Sequence, residues 1–317
     1  MNWRKAQRII TVNNVKGILL EKGLIEDGEP VFFKEISEGV SSIIIMISKE
    51  DGNVVLKQAL PKLRLKEDVV ISLPLKRNLY EKNFLDLMNA TFPSGIFPSV
   101  KFYDADNFYF IMTSAPQGSV QWKKLLLDGQ IDLSIGEKFG YILAEIHNNT
   151  ANNKEIKEKF MDNSVYVLGR INPCYRVIQK VIPEIRYGIN KIISRSLSTR
   201  IALCTVDFTP KNVLVKEKNF MLIDHEGANY GDPSFDIGLL LAHIFLKAVH
   251  NKKLCDNYFA LIKAIWDSYC NRINVWEGEY LEKMVTQHVA CMMLSRVIGK
   301  LPVEYLTEEE KNLVQVI

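Results

Sequence analysis

The segment from Asp207 to Asp236 constrains this chain more than any other. It reads Leu203-Cys-Thr-Val-Asp207-Phe-Thr-Pro-Lys-Asn212-Val-Leu-Val, then Phe220-Met-Leu-Ile-Asp224-His-Glu-Gly. Pro210 keeps the step from Asp207 to Asn212 out of regular helix or strand. Asn212 opens an apolar run, Val213 to Val215, that reads as a short strand. The charged turn Lys216-Glu-Lys-Asn219 follows, and a second apolar run, Phe220 to Ile223, delivers Asp224 at its end. The pattern is a hairpin whose base brings Asp207, Asn212 and Asp224 together. One carboxylate there can orient a hydroxyl while an amide and a second carboxylate hold magnesium, the division of labour phosphoryl transfer uses. Read as turn chemistry alone, the same Asp and Asn residues would only shape loops; it is the ordered set that points to function.

Around this block the organisation changes near residue 113. Residues 3 to 23 carry apolar positions at helical spacing (Ile9, Ile10, Val12, Val15, Ile18, Leu19), so a helix is expected there. Strand-like runs follow at Val31 to Phe33, Ser42 to Ile47 and Val54 to Leu56, the last two joined by the turn Lys49-Glu-Asp-Gly-Asn53. A helix is expected around Arg77 to Met88, then strands at Val100 to Tyr103 and Phe108 to Met112. Past Thr113-Ser-Ala-Pro-Gln-Gly118 the expected elements are mainly helices: 133–148, a long one from Pro173 to about Arg195, 236–249, 255–271 and 280–298. The reading is an α+β chain: a β-rich N-terminal lobe over 1–113, a hinge at 114–118, and a helical lobe over 119–317 that holds the polar hairpin. A length of 317 residues suits two lobes.

The first lobe offers partners for a nucleotide. Glu38-Gly39-Val-Ser41-Ser42 precedes a strand, and Gly39 with the two serines would let backbone amides approach phosphates. Lys57 closes the strand run Val54-Val-Leu-Lys57, and Glu81 lies on the next helix. A strand-to-helix Lys–Glu pair fixes an amine that holds α- and β-phosphates; a surface ion pair worth ~0–1 kcal/mol is the plain alternative.

These residues carry a resemblance. The chain resembles the aminoglycoside phosphotransferase and choline kinase superfamily, which has a bilobal protein-kinase-like fold, and within it looks most similar to methylthioribose kinases. The matching islands are Val55 to Arg64, Arg77 to Glu81, Asp207 to Asn212, Asp224 to Gly238 and Arg296 to Leu306. The resemblance implies ATP and Mg2+ as cofactors, with Asp207 the catalytic base and Asn212 and Asp224 the metal residues. It implies that Lys57 and Glu81 serve the phosphates, that Asp236 braces the catalytic loop, and that Thr113 to Pro116, Ala115 included, meet adenine through their backbone. Glu226 is a second metal or water contact or else a solvent-facing acid. Tyr230, Trp122 and Arg296 are acceptor-site or packing residues. His147 reads as packing.

The chain departs from the family pattern where Thr205-Val206 replace His-Gly before the catalytic Asp, where Lys211 replaces Gly, and where Ile298 and Leu301 replace polar residues. These changes set methylthioribose itself in doubt as the acceptor. Two functional classes stay open: a kinase phosphorylating a hydroxyl of a small sugar-like or amino-alcohol metabolite, and a catalytically silent nucleotide-binding module. A protein kinase fits less well, since Asp224 is followed at once by Gly231-Asp-Pro, with no room for a long activation loop. A net charge of +3 gives no reason to expect nucleic acid. No apolar stretch is long enough to span a bilayer: the best, Ile237 to Val249, contains His243 and Lys247. Five scattered cysteines without a Cys-x-x-Cys pair, and an N-terminus without a signal-peptide pattern, make cytoplasmic the expected location. Dimers occur among the relatives, so a homodimer is open.

Overall fold

Strand formers and helix formers are segregated along this chain, and the computed structural model segregates the structure accordingly. It describes residues 7–36, 40–64, 70–275 and 278–316. The chain divides into two compact units, Met1–Gln117 and Gly118–Ile317.

The first unit begins with α1 (Val15–Glu21), then β1 (Phe32–Glu35), β2 (Ser42–Lys49), β3 (Gly52–Ala59), α2 (Arg77–Thr91), β4 (Val100–Asp104) and β5 (Tyr109–Thr113). The strands form one antiparallel sheet in the order β1-β2-β3-β5-β4. Ile43, Ile45 and Ile47 of β2 alternate onto one face, as period-2 side chains must, and pack with Ile10, Val15, Ile18 and Leu19. Of the helix expected over residues 3 to 23, the described residues 7 to 23 form only the seven-residue α1, and residues 3 to 6 lie outside the described residues. Tertiary hydrogen bonds outcompete a longer helix: Gln58 accepts from the Ile10 amide and donates to the Arg8 carbonyl. The Asn14 side chain closes a local turn by accepting from the Thr11 amide and donating to the Ile9 carbonyl.

The second unit runs through β6 (Val120–Gln121), α3 (Trp122–Leu127), α4 (Leu133–Thr150) and α5 (Lys154–Lys159). Then α6 (Ser164–Tyr166), a π-helical stretch Val167–Tyr175 and α7 (Arg176–Val181) follow without a break. Next come α8 (Arg186–Ser198), β7 (Ala202–Cys204), β8 (Val213–Lys216), β9 (Asn219–Leu222) and β10 (Asn229–Gly231). The chain ends in α9 (Pro233–His250), α10 (Cys255–Cys270), α11 (Gly278–Ile298) and α12 (Glu308–Val316). The long helix expected from Pro173 to Arg195 is therefore two helices. Pro183 forces Ile182 out of helical geometry, to φ −125° and ψ 81°, and Pro173 lies inside the widened π-helical turns. The expected hairpin is present as β8 and β9, with Val213 opposite Leu222 and Lys216 opposite Asn219. β10 pairs with β7, which ties the segment after the hairpin to the strand before it.

Candidate active site

In the second unit the polar residues are positioned from below by α9. Its N-cap is Asp232, whose side chain accepts from the Ser234 amide, and Pro233 sits at the first helical position. One turn in, the fully buried Asp236 accepts from the Thr205 amide at 2.6 Å and the Val206 amide at 2.8 Å. These are charge-assisted bonds to a carboxylate in a low-dielectric interior. They hold Val206 in a left-handed conformation, φ 64°, which β-branched residues rarely adopt. Asp236 thus braces the loop backbone. His147, expected as packing, has Nδ1 2.8 Å from the Tyr269 hydroxyl and Nε2 3.6 Å from Asp236.

Asp207 follows Val206 immediately, and two cations meet its carboxylate. Arg170 Nη2 lies 2.6 Å from Oδ1, and Lys211 Nζ lies 3.0 Å from Oδ2. Arg170 also donates from Nε to the Val206 carbonyl at 3.1 Å, so it clamps both the strained residue and the acid after it. Burial would push the Asp207 carboxyl up, but Arg170, Lys211 and the field of Arg296 outweigh it and hold the group well below the usual carboxylate range. Sequence reading missed Arg170. The available signal was a lone cation in the apolar run Val167-Leu-Gly-Arg170-Ile, but nothing there marked a partner 37 positions downstream.

Asn212 ends a short 3-10 turn, Pro210–Asn212. Its Nδ2 donates to the Asp207 carbonyl at 2.9 Å, which commits the amine end of the amide and turns Oδ1 to other duties. The Ile223 amide donates to the Asn212 carbonyl, so the hairpin base joins Asn212 to the residue before Asp224. Asp224 also has positive φ, 65°, and its charge acts on Arg170. The expected gathering of Asp207, Asn212 and Asp224 at the hairpin base is what the structure has. Their donors, carboxylate and amide oxygens, are the chemistry a hard divalent cation such as Mg2+ takes. Glu226 is partly exposed two residues on.

Tyr230, read as an acceptor-site or packing residue, is buried on β10, and its hydroxyl donates to the carbonyl of Thr150, the last residue of α4. Trp122 is likewise buried, stacked on Phe139 at 4.6 Å between centroids. Arg296, near the end of α11, is nine-tenths buried and donates from Nη1 to the Leu301 carbonyl.

In the first unit Lys57 lies inside β3, two residues short of its end, between Ile44 and Phe110 on the neighbouring strands. Its ammonium is 2.8 Å from Oε1 and 2.7 Å from Oε2 of Glu81 on α2. At 3% and 1% exposure this is a buried pair, not the surface bridge the sequence also allowed. Next to it the Ser41 carbonyl accepts from Arg77 and from the Leu60 amide, and Ser42 is buried at the start of β2. Gly39 lies outside the described residues. Thr113 ends β5 and its hydroxyl accepts from the Ser99 amide; Ala115 follows in a loop.

Known proteins give this geometry a setting. The chain is 27% identical over 297 residues to the 4-hydroxytryptamine kinase of Psilocybe cyanescens, covering 80% of this chain and 78% of that protein. It is 22% identical over 302 residues to the methylthioribose kinase of Geobacillus kaustophilus, covering 86% and 76%. Among solved structures, the choline kinase of Cryptosporidium parvum superposes with a TM-score of 0.53 at 12% identity, over 96% of this chain and 94% of that one. A spectinomycin phosphotransferase solved with ADP and spectinomycin superposes with a TM-score of 0.51 at 13% identity, over 98% and 95%. The fold is therefore the kinase-like one those enzymes share. The model of the phosphotransferase enzyme family matches residues 33–265, nearly three quarters of the sequence, and the chain belongs to that family.

Proposed function

We propose that this protein is an ATP- and Mg2+-dependent kinase that transfers the γ-phosphoryl group to a hydroxyl of a small molecule. The observation that carries the reading is Asp207: a carboxylate kept ionised by Arg170 and Lys211, on the same short loop as Asn212 and beside Asp224. In this reading the acceptor hydroxyl donates to Asp207. A carboxylate held so far below its usual range is a weak base, so its work is to orient the hydroxyl and to take the proton late, as phosphoryl transfer requires. Arg170 and Lys211 keep that oxygen aimed and add positive charge beside the transferring group. Asn212 Oδ1 and the Asp224 carboxylate would hold Mg2+, with Glu226 a second contact; the ion, when bound, supplies neutralisation of phosphate charge.

Lys57, fixed by Glu81, would hold the α- and β-phosphates, with Gly39, Ser41 and Ser42 lending backbone. The segment 114–118 would act as the hinge, with Thr113 and Ala115 beside adenine. The similarity to a 4-hydroxytryptamine kinase and a methylthioribose kinase supports this class. Thr205-Val206 favour the second reading, a silent nucleotide-binding module. Against it, Asp236 and Arg170 hold this loop without a histidine.

The test is coupled ADP release with Mg2+-ATP across sugars, thio-sugars, amino alcohols and hydroxy acids. Asp207→Ala should keep ATP affinity and lose on the order of 10²–10⁴ in kcat. An unchanged kcat in that variant would remove Asp207 from the reaction. ATP binding with no ADP release from any acceptor would favour the silent module.

A further inference from the structure

The face of α9 that carries Asp236 continues along the helix. Asp236, His243 and Lys247 are spaced by seven and four residues and so fall on one stripe. Lys247 lies about 16 Å along the axis from Asp236, at 1.5 Å per residue. Lys247 as a residue is 1% exposed; its ammonium, on a part-buried hydrogen bond, donates to the His243 carbonyl at 3.1 Å and lies 5.4 Å from the centre of the Tyr305 ring. Arg296 reaches the same region from α11, spending Nη1 on Leu301 while its Nε is buried without a hydrogen-bond partner. His243 Nε2 is also buried and unpartnered. His243 lies one turn before Lys247 on α9, against which α11, the helix of Arg296, packs; the charges of Arg296, Lys247 and Lys211, with burial, lower His243, and Asp207 opposes them.

The carboxylates facing this cluster are already engaged. Asp207 meets Arg170 and Lys211, and Glu304 pairs with Lys123. Among the described residues neither Lys247 nor Arg296 forms an ion pair with a carboxylate. Buried cations without a counter-charge are costly to keep, and burial together with Lys123 holds Lys247 down at about 7. A transferring phosphoryl group at Asp207 does not account for Lys247, which lies three helical turns beyond Asp236 along α9.

We propose that the acceptor carries an anionic group, a carboxylate or a phosphate, that sits against Lys247 and Arg296 beside His243 while its hydroxyl reaches Asp207. This rests on the reading of the chain as a phosphotransferase acting at Asp207. The same field disfavours an acceptor whose far end is an ammonium.

Two measurements test it. With Mg2+-ADP bound, sulfate at tens of millimolar should raise the melting temperature of the wild-type protein more than chloride at equal ionic strength. Lys247→Met, close to lysine in length, should lose that extra rise and keep only the general salt effect, with ADP affinity within twofold of wild type. Equal sulfate increments in the two proteins would overturn the anion site. In the ADP-release assay, polyol acceptors ending in a carboxylate or a phosphate should exceed matched neutral and amine-bearing ones by 100-fold or more in kcat/KM. Lys247→Met should cut that preference at least tenfold, and the two anionic arms separate carboxylate from phosphate. A preference for amines would overturn the proposal. Absence of turnover with every acceptor, ATP being bound, would count against phosphoryl transfer, while the sulfate result still decides the anion site.

Discussion

At Val206 the backbone stores strain, and the size of that strain is measurable. A β-branched residue at φ 64° costs about 1–2 kcal/mol relative to glycine, which is the residue the phosphotransferase pattern has there. Val206 is also buried, and a buried valine side chain is worth roughly 1.5–3 kcal/mol. The two effects oppose each other in Val206→Gly. Val215→Gly removes an equally buried side chain from the regular strand β8 and has no strain to release. Urea denaturation should therefore find Val206→Gly less damaging than Val215→Gly by about 1–2 kcal/mol. Equal losses would mean that the loop carries no strain.

Arg170 gives a second prediction at this scale. In the wild type, Arg170 and Lys211 keep Asp207 ionised, so Asp207 places no acid limb in the neutral range of the pH–rate profile. Arg170→Gln removes the first of the lowering charges and leaves the burial that raises the carboxyl. The acid limb should move to higher pH and kcat should fall on that side. A profile of unchanged shape would show that Arg170 does not hold the proton off Asp207.

Helices α4 and α10 approach each other closely at Gly140. A Cβ at Gly140 would stand 2.3 Å from the Ile265 carbonyl oxygen and 2.9 Å from the Tyr269 amide, both backbone atoms that cannot swing aside. Gly140→Ala must push the helices apart, at a cost of about 1–3 kcal/mol. At Gly188, in α8, an added Cβ meets nothing within 4 Å, and Gly188→Ala should stabilise by up to about 1 kcal/mol through helix propensity. Calorimetry on the two variants should show melting temperatures moving in opposite directions. The pair also illustrates what was legible in the sequence. Strand β2 and helices α4 and α10 announce themselves by periodicity, because each buries one face, while β3, β5 and α9 are buried nearly all round and are legible as continuous apolar runs. The hairpin at Asp207–Asp224 was legible because proline, a polar turn and two short apolar runs are local signals. Arg170 was not, since it comes from a π-helical segment that packing brings to the loop. The N-terminal helix was over-read for the same reason: Gln58, about fifty residues on, takes the hydrogen bonds a helix would have used. Tyr230 stayed open between acceptor site and packing because an aromatic hydroxyl near a polar hairpin looks the same in sequence whether it faces a ligand or a neighbouring carbonyl.

Over the molecule as a whole, the buried cation on α9 links the proposed acceptor site to stability. Folding lowers Lys247 from 10.5 to about 7, chiefly through burial and the charge of Lys123, with Glu304 opposing. The groups around it are the Tyr305 ring, the His243 carbonyl, Lys123, Glu304 and, through His243, Arg296. Between about pH 7 and 10.5 the unfolded chain holds a proton that the folded chain has released, so the contribution of this group to stability rises with pH across that window. Below about pH 7 both states hold the proton and the folded state bears the full desolvation cost. At 1.36 kcal/mol per tenfold that cost is on the order of 5 kcal/mol, an upper bound that structural relaxation reduces. Lys247→Met replaces the ammonium by an apolar chain of similar length, and proteins commonly give up stability of this kind to keep a functional group in place. Denaturation of wild type and variant side by side should find Lys247→Met more stable at pH 7 by a few kcal/mol, with the gap closing as pH approaches 10 because only the wild type regains stability there. A variant weaker than wild type at pH 7, or a gap independent of pH, would mean that the ammonium is already compensated within the protein, and the reason to expect an incoming anion would go with it.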